Sequence, residues 1–370
     1  MNHPSRRQFV KSCLYLTGFG MSPFGFCLHT GCREEDPARV ADDSDQALRK
    51  RSTGATADID PAFTAPYVRL HKSGELKQRG EALWRLMKAC RLCPRACGVN
   101  RLEGEKGVCQ STDRLEISAY HPHFGEERPL VGRGGSGTVF LANCGLRCVF
   151  CINWEISQGG AGTPREVAEL AGMMCHLQRI GCHNINFVTP THYVPHIVLA
   201  VDRAAGKGLR LPLVYNTCGW ERLEILKYLD GVIDIYLPDF KYWEGGMAAK
   251  YSSDAENYPE VTKTAVLEMN RQVGVARPHD DGLMYRGLMI RHLVMPNRVS
   301  GTRGVIEWIA RNLPKDTYLN LMSQYRPMYR AFVYPEIARR ISRKEFSDAV
   351  EWARAAGLTR LDIQSMPLLY

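Results

Sequence analysis

No run of apolar residues is long and unbroken enough to read as a membrane span; the stretch near the N-terminus is short and interrupted by Gly and Pro. No internal repeat is present, which excludes solenoids and propellers. The net charge of +9 on 370 residues comes without a helix-turn-helix, zinc-finger or RNA-binding signature, so nucleic acid is not an expected partner. The basic excess suits anionic ligands or an acidic electron-donor protein instead. The most informative absence is local. In CGLRCVFCINWE, Cys144, Cys148 and Cys151 have no fourth cysteine close by. A structural zinc site wants four protein ligands, and so does an ordinary electron-transfer cluster. Three ligands leave one metal position open to substrate.

What is present is a globular balance, 45% hydrophobic and 24% charged, with ample material for a core. Thirteen cysteines is a high count. Cys90, Cys93, Cys97 and Cys109 form one group, and the three just named form another. Cys13, Cys27 and Cys32 lie near the N-terminus, while Cys175, Cys182 and Cys218 stand apart. Tight groups with gaps of two and three residues suit metal binding better than a disulfide framework in a chain this long. Four thiolates close a site, so the first group is expected to hold structural zinc or a second iron–sulfur cluster for electron relay.

The N-terminal SRRQFVK, followed by CLYLTGFGMSPFGFCL, resembles a twin-arginine export signal over 1–32. That route carries folded, cofactor-loaded proteins. LHTGC before Cys32 has His29 where a lipoprotein site needs an aliphatic residue, so lipidation is not expected. Residues 33–62 are charged and small and read as a disordered linker. A cysteine-rich module over 63–133 and a catalytic domain over 134–370 complete the expected organisation.

From Thr138 the pattern alternates. TVFLA, INFV, PLVYN, VIDIYL, GLMIRHLVM and YLNLM read as six strands, with helices between them. In TPREVAELAGMMCHLQRIG, Thr163 is the expected cap, Pro164 takes the first turn and Gly181 ends the helix. Alternation predicts α/β architecture with a parallel sheet, as an open doubly wound sheet or a partial barrel. Either way, functional residues belong at the C-terminal ends of the strands. The cysteine loop, TPTH, NTCG, PDFK, PN and SQY all fall there.

A [4Fe–4S] cluster held by three thiolates has one iron free of protein, which can chelate the amino and carboxylate groups of S-adenosylmethionine. One electron can then break a carbon–sulfur bond and yield a 5′-deoxyadenosyl radical. The spacing Cys144-x-x-x-Cys148-x-x-Cys151 after a strand, with the aromatic Phe150 before the last cysteine, resembles the radical S-adenosylmethionine superfamily. CRLCPRACGVNRLEGEKGVC, GSGTVFLANCGLRCVFCINWEIS, NINFVTPTHYVP, VYNTCGWE, DGVIDIYLPDFKY, RHLVMPN and LMSQYRP extend the resemblance to the pyruvate formate-lyase activating enzyme-like family PflX. The resemblance runs from Cys90 to the last helix. It implies a partial (β/α)6 barrel, reductive cleavage of S-adenosylmethionine, and use of the radical on a protein or small-molecule hydrogen donor, a glycyl radical partner enzyme among them. A low-potential donor such as flavodoxin or ferredoxin is the implied electron source.

Asp239 and Lys241 are candidates for the ribose or carboxylate of the nucleoside, Arg291 for the methionine carboxylate, and Asn216 for ribose or adenine. Phe150 joins them as a cofactor neighbour. The sequence departs from the glycyl-radical activases in lacking Gly-Gly-Glu after the second strand. FVTPTH stands there, with Thr189 and Thr191 as possible substitutes. Ile152 and Trp154 replace an expected Gln and Tyr. The export signal is the widest departure, because the electron donor and S-adenosylmethionine are normally cytoplasmic. An exported iron–sulfur protein serving in electron transfer or assembly, without cleavage of S-adenosylmethionine, is the alternative reading.

Overall fold

A computed structural model describes residues 63–363. The expected export signal, the linker over 33–62, and Cys13, Cys27 and Cys32 lie outside the described residues. Among those described, nine strands form one sheet: β1 Leu115–His123, β2 Ser136–Leu141, β3 Thr163–Arg165, β4 Ile185–Val188, β5 Leu213–Thr217, β6 Ile235–Pro238, β7 Gly287–Leu293, β8 Tyr318–Met322 and β9 Leu361–Ile363. Their spatial order is β3-β1-β2-β4-β5-β6-β7-β8-β9. From β2 to β9, leaving out β3, the strands are parallel and neighbours in space follow the chain.

That order decides between the two architectures left open by periodicity. A doubly wound sheet reverses its strand order at a switch point, which puts helices on both faces. No reversal occurs here, and βα crossovers are almost always right-handed. All the crossover helices therefore fall on one face and the sheet curls as a partial barrel. The packing agrees. Tyr215, Tyr236, Leu288 and Leu319 bury against the helices Val167–Arg179, Val194–Ala205, Tyr258–Val273 and Thr302–Asn312. Their strand neighbours Val214, Ile235, Leu237, Met289 and Tyr318 form a separate inner cluster with Leu130 and Met284. Side chains alternate along a strand, so these are the barrel's outer and inner faces.

The inner cluster is plugged from outside the repeat. A short helix, Arg128–Val131, inserts Leu130. Asn184 Nδ2 donates to Leu130 O at 2.8 Å, and Met284 N–H donates to Pro129 O at 2.8 Å. The cysteine-rich segment joins the same sheet, because β1 pairs antiparallel with β2. The buried Arg101 helps tie it down, donating to Thr112 O at 2.9 and 2.5 Å and to His192 O at 2.7 Å.

One helix start differs from expectation. Thr163–Arg165 pairs as β3 with Leu115–Ile117, so Thr163 is an edge-strand residue and not a cap. The helix begins at Val167, with Glu166 and Glu169 in a reciprocal capping box. An antiparallel partner outweighs the local Thr-Pro signal. Gly181, at φ 92°, does end the helical run.

Candidate functional site

The three-cysteine loop leaves the C-terminal end of β2 at Leu141. Two residues in left-handed backbone conformation set its shape: Asn143 (φ 73°) directly before Cys144, and Arg147 (φ 52°) directly before Cys148. Such positions cost roughly 1 kcal/mol each and persist where surrounding contacts impose them. Asn143 N–H donates to Ile156 O at 2.9 Å, and its side chain donates to Glu116 Oε2 at 2.7 Å. Phe150 is buried, 5.9 Å from the Tyr325 ring and 6.3 Å from Tyr242, and so anchors the loop in the core.

Each sulfur in the loop has a hydrogen-bonding partner. Leu146 N–H donates to Cys144 Sγ at 3.4 Å, Ser252 Oγ donates to Cys148 Sγ at 3.1 Å, and Ser157 Oγ is 3.1 Å from Cys151 Sγ. Burial pushes the Cys148 thiol up to about 12, against the pull of Lys241, and burial raises Cys144 as well. Left alone, these thiols stay protonated. A soft metal centre that supplies positive charge is what such a buried set can hold as thiolates, releasing the protons on binding. Hydrogen bonds to sulfur are also the means by which proteins tune iron–sulfur clusters. Among the described residues no three His, Cys, Asp or Glu side chains converge on a single metal ion. A cluster places each thiolate on a different iron, so three thiolates leave one iron of a [4Fe–4S] centre free of protein. On donor type and surroundings the loop fits a cluster.

Beside the loop, four residues singled out from sequence come together. Arg291 on β7 donates from Nε to Asp239 Oδ1 at 2.9 Å and from its terminal nitrogen to Asn216 Oδ1. Lys241 Nζ donates to Asp239 Oδ2 at 2.6 Å. These residues come from β5, β7 and the end of β6. Burial works against the Asp239 carboxylate, but Arg291 and Lys241 outweigh it and hold it below the usual range. Burial likewise works against the Lys241 ammonium; Asp239, then Cys148, raises it overall. Lys241 thus links the polar network to the cysteine loop. Gly219 makes room for the network, since a Cβ there would fall 2.1 Å from Asp239 O.

Two members are new. Glu126 and Glu127 enter from the segment that plugs the barrel. Glu126 Oε1 accepts from Asn216 Nδ2 at 3.3 Å, and Glu126 Oε2 is 3.6 Å from Arg291. Glu127 Oε1 accepts from Asn320 Nδ2 at 2.9 Å. Burial raises Glu126 to about 7, opposed by Arg291 and reinforced by Glu127. Arg291 therefore already has protein partners on Asp239 and Asn216, and its contact to Glu126 is the longest. In the described structure Arg291 is a hub of the network, and a ligand carboxylate would have to compete for it.

Other candidates are placed as follows. Thr191 Oγ1 donates to the buried Glu221 at 2.5 Å, which uses its proton and leaves its oxygen lone pairs to accept from a ligand amine. Thr217 also donates to Glu221. His192 is buried, with Nε2 2.9 Å from Ala142 O, and burial lowers it to about 3, so it is a neutral structural residue. Cys182 is in the core. Cys218 lies at the end of β5, its thiol raised by burial and by nearby Cys144.

Cys90, Cys93, Cys97 and Cys109 also gather, and none is in a disulfide. Burial raises Cys93 to about 12, with Cys109, Cys90 and Cys97 adding to it.

No protein-family model matches the chain. The uncharacterized protein MJ0674 of Methanocaldococcus jannaschii is 32% identical over 286 residues, covering 74% of this chain and 76% of its own length. Another uncharacterized protein of that organism, MJ0808, is 23% identical over 288 residues, covering 69% and 78%. Among solved structures, a radical SAM methyltransferase from Sphaerobacter thermophilus aligns with a TM-score of 0.40 and 12% identity, over 61% of this chain and 66% of its own. The identity to MJ0674, sustained over about three quarters of both chains, places this protein in the same family as MJ0674.

Proposed function

We propose that the protein is a radical S-adenosylmethionine enzyme, with Cys144, Cys148 and Cys151 holding a [4Fe–4S] cluster. The observation that carries this reading is a three-thiol loop at a barrel-strand end, each sulfur hydrogen-bonded, joined through Lys241 to the Asn216–Asp239–Arg291 network. When bound, the cluster would supply one electron to S-adenosylmethionine, breaking a carbon–sulfur bond to give methionine and a 5′-deoxyadenosyl radical for hydrogen abstraction.

The chain's own part is positioning. Lys241 sets a cation beside Cys148, which favours added electron density there. Asp239, held ionised by Arg291 and Lys241, offers a carboxylate at the mouth for ribose hydroxyls. Asn216 supplies an amide at the same level. Leu130 and Met284 close the inner face beneath, which keeps water from the reacting end. The resemblance to PflX extends the proposal to a glycyl radical partner as the hydrogen donor, and SRRQFVK extends it to export by the twin-arginine route.

The test is anaerobic reconstitution with iron and sulfide, reduction by dithionite, and assay for 5′-deoxyadenosine and methionine in equal amounts. Cys148→Ala should abolish both products. A loaded and reduced wild type that forms neither product would leave electron transfer or assembly as the function.

A further inference from the structure

The four-cysteine module packs directly on the three-cysteine loop. Gly145 follows Cys144, and a Cβ built on it would lie 3.6 Å from Cys93 Sγ. Arg95, two residues after Cys93, donates from Nε to Gly145 O at 3.2 Å and from its terminal nitrogen to Ser252 O at 3.2 Å. Ser252 is the residue whose hydroxyl donates to Cys148 Sγ. Two short paths thus join the sites, one through Gly145 to Cys144 and one through Arg95 and Ser252 to Cys148. A purely structural clip would not need its buried thiol against the other site's backbone.

The module's own fold is built around its sulfurs. Cys90 N–H donates to Val99 O at 2.9 Å, Gly98 N–H to Cys90 O at 3.0 Å, and Ala96 N–H to Cys93 O at 3.0 Å. Ala96 (φ 41°) and Gln110 (φ 65°) take left-handed conformations next to Cys97 and Cys109. Gly107 lies under Cys97, where a Cβ would come within 2.6 Å of the sulfur. Four thiols give a [4Fe–4S] cluster one protein ligand per iron. Cys90, Cys93 and Cys109 are buried, but Cys97 is exposed. The module therefore has an inner sulfur against the reactive loop and an outer one at the surface.

We infer that Cys90, Cys93, Cys97 and Cys109 hold a second [4Fe–4S] cluster that receives electrons at the Cys97 side and passes them from the Cys93 side to the three-cysteine site. The inference rests on the radical reading for the inner site. One electron leaves a reduced flavin or ferredoxin-type donor and takes the outer cluster from its oxidised to its reduced state. The outer cluster is reoxidised as the inner one is reduced. The inner one is reoxidised when the carbon–sulfur bond of S-adenosylmethionine accepts the electron. No proton or second electron is required.

The experiment compares full-length wild type with Cys97→Ala and Gly107→Ala after reconstitution. The readouts are iron and zinc content, and the rate at which reduced flavodoxin generates the inner cluster's EPR signal. Wild type should bind about eight irons per chain and no zinc, and either variant fewer, because an incomplete thiol set holds the outer cluster less firmly. Dithionite, a small reductant, should still reduce the inner cluster in both variants, while reduction by flavodoxin slows at least about tenfold, a barrier change of about 1.4 kcal/mol. One zinc per chain beside about four irons would overturn the inference. So would flavodoxin reduction that is equally fast in wild type and variants. Should one variant misfold, the other decides, because Cys97 is at the surface and Gly107 changes by a single methyl. None of these readouts needs product formation, so failure of the radical reading would show separately, as absent 5′-deoxyadenosine from a fully reduced inner cluster.

Discussion

The two cysteine sites sit in contact yet are built differently. The outer one closes on four thiols, exposes Cys97, and takes its shape from tight turns and a glycine. The inner one has three thiols, a hydrogen bond to each sulfur, and a lysine beside Cys148. Only the inner site opens onto the barrel mouth, where β5 to β8 supply Asn216, Asp239, Arg291 and Asn320. The difference teaches that the missing fourth thiol is matched by polar side chains from elsewhere in the fold. On the proposed reading, ligand count and barrel together separate a site for substrate from a site for electrons.

The most severe way to break the comparison is to remove an inner thiol. Cys148→Ala should abolish 5′-deoxyadenosine formation and leave about four irons per chain, those of the outer site. Iron analysis beside the product assay checks it. Next is the tie between module and barrel. Arg101 is fully buried and donates only to carbonyls of Thr112 and His192, so Arg101→Met leaves acceptors unpaired. Urea unfolding should show a loss of about 3 kcal/mol. Lys241→Met sharpens the contrast between sites. It removes the cation beside Cys148 while Asp239 keeps Arg291, and should lower reductive cleavage about a hundredfold with the outer cluster unchanged. Steady-state product rates and the outer cluster's EPR signal test both halves.

The smallest predicted effect concerns the barrel alone. Burial raises Glu221 from 4.5 to about 7, although Thr191, Thr217 and Tyr215 donate to it. The folded state therefore holds this proton more tightly than the unfolded chain does. The contribution is full below about pH 4.5 and is lost as pH rises through about 7. Asp234, raised to about 7 by burial, acts in the same sense. Between pH 5 and 8 the wild type should lose stability, and Glu221→Gln should lose about 2 kcal/mol less over that range. Urea midpoints at the two pH values measure it; an unchanged difference would remove Glu221 from the account.

Much of this was legible in the chain because its signals are local. Six parallel strands follow from apolar runs, and the helix over Tyr258–Val273 matches its periodic stretch residue for residue. Asn216, Asp239, Lys241 and Arg291 could be singled out because each lies in the C-terminal half of a strand or just after one. Glu126 and Glu127 could not. They stand in an aperiodic GEERPL segment, and reach the site only because the segment plugs the barrel, held by Asn184 and Met284. The serines that bond sulfur were hidden for a related reason, since Ser252 lies 104 positions from Cys148. The strand β1 carries Pro122 and three polar or charged residues on its solvent side, so its pattern is weak, and β2 is what makes it a strand.

The central claim is that the three-cysteine loop presents an open iron to S-adenosylmethionine. It is tested most directly by pulsed EPR on the reduced protein with S-adenosylmethionine isotopically labelled in its amino nitrogen and carboxylate. The account predicts hyperfine coupling of both labels to the inner cluster in wild type and in Cys97→Ala, and none in Cys148→Ala. A loaded, reduced wild type that shows no coupling to either label would contradict it.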